Sequence, residues 1–208
     1  MNKRRLGAGL MALGAILLAA AALLVRENHI EETEAGDRAQ FVLGEMQRRL
    51  NYENGRIVKK TGGQSEEESA PQVAELPTME IDGDEYIGII ELPTLDRSLP
   101  VMKDWSYPKL RRAPCRYWGS AEKGNFVIFA HNYSRHFGSI KDLAIGDPVQ
   151  FVSADGRVYR YSVEKIETLE KGDVDKMLNS GYDLTLFTCT YGGRHRVTVR
   201  LSRVYSYE

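Results

Sequence analysis

Cysteine is nearly missing: Cys115 and Cys189 are the two present in 208 residues. Two thiols exclude a disulfide-stapled miniprotein and a cysteine-only zinc site. A surplus of one charge is missing too, with 28 Lys+Arg against 29 Asp+Glu and a formal net charge of −1. A nucleic-acid binder working through a broad basic face would need a positive balance, so nucleic acid is not an expected partner. Long apolar runs are scarce as well; one occurs, which excludes a polytopic membrane protein. Hydrophobic residues at 42% exclude a wholly disordered chain. No repeat is visible. At about 100–200 residues per domain, this length leaves one catalytic-size domain with something attached.

The attachment is N-terminal. Residues 6–25 (LGAGLMALGAILLAAAALLV) carry no charged side chain. At about 1.5 Å per residue they span about 30 Å, the thickness of a bilayer hydrocarbon core. Lys3, Arg4 and Arg5 precede the run, and Arg26, Glu27, Glu31 and Glu32 follow it. Positive charge on the N-terminal side predicts a cytoplasmic N-terminus and an exported remainder. Ala19-Ala20-Ala21 would also suit a signal-peptide cleavage site, but the apolar run exceeds the usual span of about 7–15 residues. The reading adopted is an uncleaved single-pass anchor over residues 1–26.

Residues 29–50 read as a helix, with Phe41, Val42, Met46 and Leu50 on one stripe and Asp37 as a cap for a start near Arg38. Residues 51–77 hold Gly62-Gly63, the acidic Glu66–Glu68 triplet and two prolines, a composition expected to form a mobile stalk. Residues 27–78 are therefore assigned to a helical and disordered stalk. Residues 79–208 form the main domain. There, short β-rich runs at 86–92, 126–130, 149–153, 158–166, 184–188 and 197–204 alternate with turn signals such as Gly146-Asp147-Pro148 and Gly192-Gly193. Short helices are expected at 138–143 and 174–178. The pattern predicts a mostly β fold, a closed or nearly closed barrel of about 125 residues.

Two segments concentrate the chemistry. Leu184-Thr185-Leu186-Phe187-Thr188-Cys189 delivers a thiol to a strand end, and a glycine-containing turn leads to Arg196 and an alternating strand. If the two strands pair, a permanent cation sits near the thiol and near any oxyanion its attack creates. The second segment, Phe126-Val127-Ile128-Phe129-Ala130-His131, is an apolar strand ending in a histidine. Cys, His and Arg together can supply a nucleophile, a proton carrier and an oxyanion partner.

Thr185-Leu186-Phe187-Thr188-Cys189 matches the TLxTC signature of the sortases, and the chain resembles that family of Gram-positive cysteine transpeptidases over about residues 79–208. His131 upstream, Arg196 opening the last strand, the 86–93 segment and the N-terminal anchor all follow the family's layout. The resemblance implies a closed sortase-like β-barrel and a membrane-anchored enzyme with its catalytic domain outside the cell. It makes Cys189 the nucleophile that cleaves an LPxTG-like sorting signal and forms a thioester. It makes His131 the proton carrier, Arg196 the oxyanion or backbone partner, and Thr188 a substrate-binding neighbour. The implied partners are secreted proteins with C-terminal sorting signals and an amine acceptor, a peptidoglycan precursor or a pilin lysine. No cofactor or metal is implied. No Asp-Pro-aromatic tripeptide precedes Asp82, and residues 167–183 are too few for a long inserted helix, so no subclass signature is matched.

Other readings stay open at the level of residues. Arg194 and Arg200 compete with Arg196 for the arginine role, and the resemblance favours Arg196, because the family's arginine directly precedes an alternating apolar strand such as Val197-Thr198-Val199. Cys115 is read as structural. His136, five residues after His131, could pair with it on a metal, although no motif spacing supports this; His195 reads as a loop residue. Trp105, Trp118 and the tyrosines could line a peptide groove or fill the core. A non-catalytic anchored barrel that binds a ligand is the alternative to the enzyme.

Overall fold

The computed structural model describes residues 3–50, 52–53, 56–57 and 76–205, with side chains described from residue 10 onward outside the two short strands at 52–57. One helix, α1 (Lys3–Arg49), opens the chain. It runs unbroken through Asp37, which caps nothing; helix-favouring residues on both sides let the apolar run and the following segment merge into one rod. Its first half is exposed along its described length. Its second half buries Ala35, Ala39, Val42, Met46 and Leu50 at spacings of three and four, the stripe of an amphipathic helix. Phe41, expected on that stripe, is 60% exposed because it falls on the far side. The helix at 29–50 therefore lies on the domain and is not a free stalk.

A two-stranded ladder follows, β1 (Tyr52–Glu53) with β2 (Arg56–Ile57), where no strand was expected. Most of the remaining stalk expectation lies outside the described residues. The domain contains β3 (Met79–Ile81), β4 (Asp84–Leu92), β5 (Arg97–Met102), α2 (Tyr107–Leu110), β6 (Cys115–Ser120) and β7 (Gly124–Phe129). After these come β8 (Pro148–Ser153), β9 (Val158–Glu170), α3 (Val174–Leu178), β10 (Leu184–Cys189) and β11 (His195–Arg203). The helix expected at 138–143 is a single 3-10 turn, Ile140–Asp142.

The sheet order is β3-β4-β5-β6-β7-β10-β11-β9-β8, and β8 pairs back onto β4. That last pairing closes the strands from β4 onward into a ring, in which β5 meets β6 through the single pair Met102–Cys115. The ring's inside is filled by residues such as Ile90, Leu99, Ile128, Leu186 and Val199. A second cluster, including Ile89, Met102, Leu110, Val127 and Phe187, lies on the outer face, where Val42, Met46 and Leu50 of α1 cover part of it. Alternation along β10 divides its side chains between the two: Leu184 and Leu186 point inward, and Phe187 and Cys189 outward. The thiol is therefore presented on the outside of the ring.

Candidate active site

Three adjacent strands carry the chemistry to one end of the ring. β7 and β10 run parallel, with Phe129 opposite Phe187, so the chain leaves β7 towards His131 at the same end of the ring at which β10 ends in Cys189. Neighbouring strands lie about 4.8 Å apart. On the other side β11 runs antiparallel to β10 with Arg196 opposite Cys189. Two hydrogen bonds fasten the strand ends: the Ala130 backbone N–H donates to Phe187 O at 3.2 Å, and the Thr188 side-chain hydroxyl donates to Ala130 O at 2.8 Å.

Cys189 and Arg196 line one cavity of about 310 Å³. Its wall is aromatic: Trp105, Tyr107, Tyr117, Phe129 and Phe187, with Met177 and Val174 from α3 and Glu170, Lys171 and Asp173 at its polar side. Phe129 and Phe187 stack at 4.4 Å and 5° between planes, and Tyr117 meets Phe187 edge-on at 5.3 Å. A few polar groups set in an apolar concave wall are the usual make-up of a ligand site. Arg196 Nη1 donates to Gly193 O and His195 O, each at 3.0 Å, so the turn's carbonyls hold the guanidinium beside the thiol. Among the described residues its other N–H groups meet no hydrogen-bond partner, which suits them to a ligand oxygen.

His131 is half-buried and does not line that cavity. Its ring stacks on Tyr133 at 4.8 Å. Burial lowers its pKa, the Arg111 guanidinium lowers it further, and the Glu31 carboxylate opposes both. Tyr133, Arg111 and Glu31 were not singled out in the sequence. Tyr133 follows the histidine by two residues, which was the available signal; Glu31, a hundred residues away on α1, gave none.

The other sequence candidates fall elsewhere. Thr188 is buried, its hydroxyl is spent on Ala130 O, and it does not line the cavity, so its side chain ties strands where a substrate contact was expected. Arg200 is 1% exposed and committed: Nε donates to Glu167 Oε1 at 2.9 Å, Nη1 to Thr185 Oγ1 at 3.0 Å and Nη2 to Lys176 O at 2.8 Å. Arg194 is exposed on the turn. His195 Nε2 lies 3.2 Å from Glu170 Oε1, so it is more than a plain loop residue. Cys115 is free and fully buried, and burial pushes its thiol up to about 12. Such a thiol is inert at neutral pH. His136 is buried beneath α1, where burial and nearby His131 depress its pKa to about 4. Among the described residues no group of three His, Cys, Asp or Glu side chains could hold a metal. Trp105 stands at the cavity, whereas Trp118 is exposed away from it.

The chain is 27% identical over 125 residues to sortase A of Bacillus anthracis, a match covering 57% of this chain and 59% of that protein. It therefore spans about three-fifths of the relative's length. Among solved structures, sortase A from Corynebacterium diphtheriae superposes with a TM-score of 0.54 at 25% identity, covering 60% of this chain and 63% of that one. Sortase C1 from Streptococcus agalactiae superposes with a TM-score of 0.53 at 28% identity, covering 62% and 72%. The sortase-domain profile matches residues 90–204, more than half of the chain and all three strands of the site. The protein belongs to the sortase family.

Proposed function

We propose that the protein is a membrane-anchored cysteine transpeptidase. It cleaves an LPxTG-like sorting signal and passes the acyl group to an amine of a peptidoglycan precursor or a pilin lysine. The observation that carries this is the facing pair Cys189 and Arg196 on one aromatic-walled cavity. In this reading the Cys189 thiolate attacks the scissile carbonyl, forming an S–C bond while the C–N bond breaks. His131 gives a proton to the departing amine and takes one from the incoming amine. Arg196 donates hydrogen bonds to the tetrahedral oxyanion, a role commonly worth about 10²–10³ in rate. Thr188 acts indirectly, by fixing the strand ends that carry the thiol and the imidazole.

The same reading puts residues 1–26 through the membrane with the N-terminus cytoplasmic and the domain outside. The long apolar helix is compatible with a single-pass anchor, and the Lys3-Arg4-Arg5 cluster favours that direction. The test uses the full chain in detergent micelles with sorting-signal peptides and a small amine. Mass spectrometry is expected to find an acyl adduct on Cys189 and an amine-linked product, both absent in Cys189→Ala. Peptide binding that persists in Cys189→Ala, with no adduct ever seen on the parent chain, would instead identify a binding module.

A further inference from the structure

Helix α1 continues without a break from its apolar half into the half that lies on the domain. The first contacts come soon after the apolar run ends. Tyr133 Oη donates to Glu31 Oε2 at 3.5 Å, the Ser134 N–H donates to the Glu32 carboxylate, and Arg135 Nη1 donates to Thr33 O at 3.3 Å and Asp37 Oδ1 at 2.7 Å. Residues 133–135 form the loop directly after His131. The next turns bury Ala35 and Ala39 against the ring. Gly36 lets Arg135 cross the helix, since a Cβ there would stand 2.3 Å from Arg135 Cδ. The second half is thus fixed to the domain along one face by charge pairs, small residues and an apolar stripe, and the apolar half runs into it without a helix break.

The heights follow from helix geometry. From Arg26, where charge resumes, to Glu31 is five residues, or about 8 Å. A bilayer's headgroup layer adds about 5–8 Å on each side of its hydrocarbon core. The His131 loop would then lie at the outer edge of the headgroups, and Cys189 and Arg196 share the same end of the ring. We propose that α1 is a strut: it holds the rim carrying His131, Cys189 and Arg196 at the bilayer surface, so the protein acts on peptide segments presented close to that surface. The inference rests on the anchored-transpeptidase reading for its consequence, and on the helix contacts for its geometry.

The experiment lengthens the strut in proteoliposomes. Inserting about 18 helix-forming residues between Arg26 and Glu27 adds five turns, raising the domain by about 27 Å while keeping the same face forward. One substrate is a soluble sorting-signal peptide, the other the same peptide joined to a lipid headgroup by a short linker. The insertion is expected to cut Cys189 acylation by the headgroup-linked peptide about tenfold or more, and to leave the soluble peptide within about twofold. Equal rates with the headgroup-linked peptide, or equal losses with both peptides, would overturn the strut. Height is read separately, without activity, from a spin label on Tyr191→Cys in the Cys189→Ala chain, using the exposed turn beside the site. Nickel-chelating lipids are expected to relax the label in the parent but not in the extended chain; a label unaffected in both would also overturn the proposal. An absent adduct in the parent would sink the transpeptidase reading, while the label still decides the strut.

Discussion

The imidazole of His131 sits between opposing charges. Arg111 disfavours its protonated form and Glu31 favours it, while burial disfavours it more than either charge acts. Removing the carboxylate in Glu31→Gln should therefore lower the His131 pKa, and Arg111→Gln should raise it. Titration of the ring by NMR reads both directions; shifts of the same sign would contradict the charge pattern. His136 carries a different consequence. Its folded-state pKa is depressed to about 4 by burial, so between that pH and the unfolded value near 6.5 the unfolded chain binds more protons than the folded one. The associated stability is fully present above about pH 6.5 and falls as pH drops, at up to about 1.4 kcal/mol per pH unit. Denaturant midpoints measured from pH 7 to pH 4 should show that slope, and His136→Phe should flatten it. His131, shifted in the same direction, leaves a smaller residual.

Strands rich in apolar and β-branched residues were legible, even where a register shift interrupts their ladder, as in β4 and β11. The runs that became β4, β8, β9 and β10 differ from their sequence boundaries at the ends, and α3 matches residues 174–178. β6 escaped because its ladder shifts register twice, between Arg116 and Trp118 and again between Trp118 and Ser120, which erases period-two patterning. Cys189, His131 and Arg196 were singled out through the resemblance to the TLxTC family, and they lie at or just beyond the ends of β10, β7 and the start of β11. The cavity's aromatic wall was legible only as an open choice between groove and core: Trp105 and Tyr117 reach the cavity and Trp118 does not, a division that the irregular segment between β5 and β7 sets. Arg200 and Arg196 lie on the same alternating strand, and only burial separates them. Arg200 bonds Glu167, Thr185 and the end of α3 from a buried position. Arg200→Ala leaves those partners unpaired and should cost about 3–5 kcal/mol of stability. Arg196→Ala should leave the thermal transition nearly unchanged while slowing acylation about 10²–10³-fold. A stable but inactive Arg200→Ala chain would reverse the assignment of the two arginines.

For the molecule as a whole, the boundary between anchor and domain lies earlier than composition suggests. The polar, glycine-containing stretch after residue 50 looks like the linker, yet the helix before it already belongs to the domain. Val42, Leu43, Met46 and Leu50 share a cluster with Ile81, Tyr86, Met102 and Leu110. Burial of an aliphatic side chain contributes about 1.5–3 kcal/mol, so these four represent gross stabilisation on the order of 6 kcal/mol or more. Ordering the helix offsets part of this, but a whole domain has only about 5–15 kcal/mol to lose. A soluble fragment covering residues 79–208 should therefore unfold at lower denaturant than one covering residues 27–208. It should also self-associate through the bared apolar face in size-exclusion chromatography, while the longer fragment stays monomeric. Coincident midpoints and a monomeric short fragment would mean that the ring closes without its helix, and that α1 adds position but no stability.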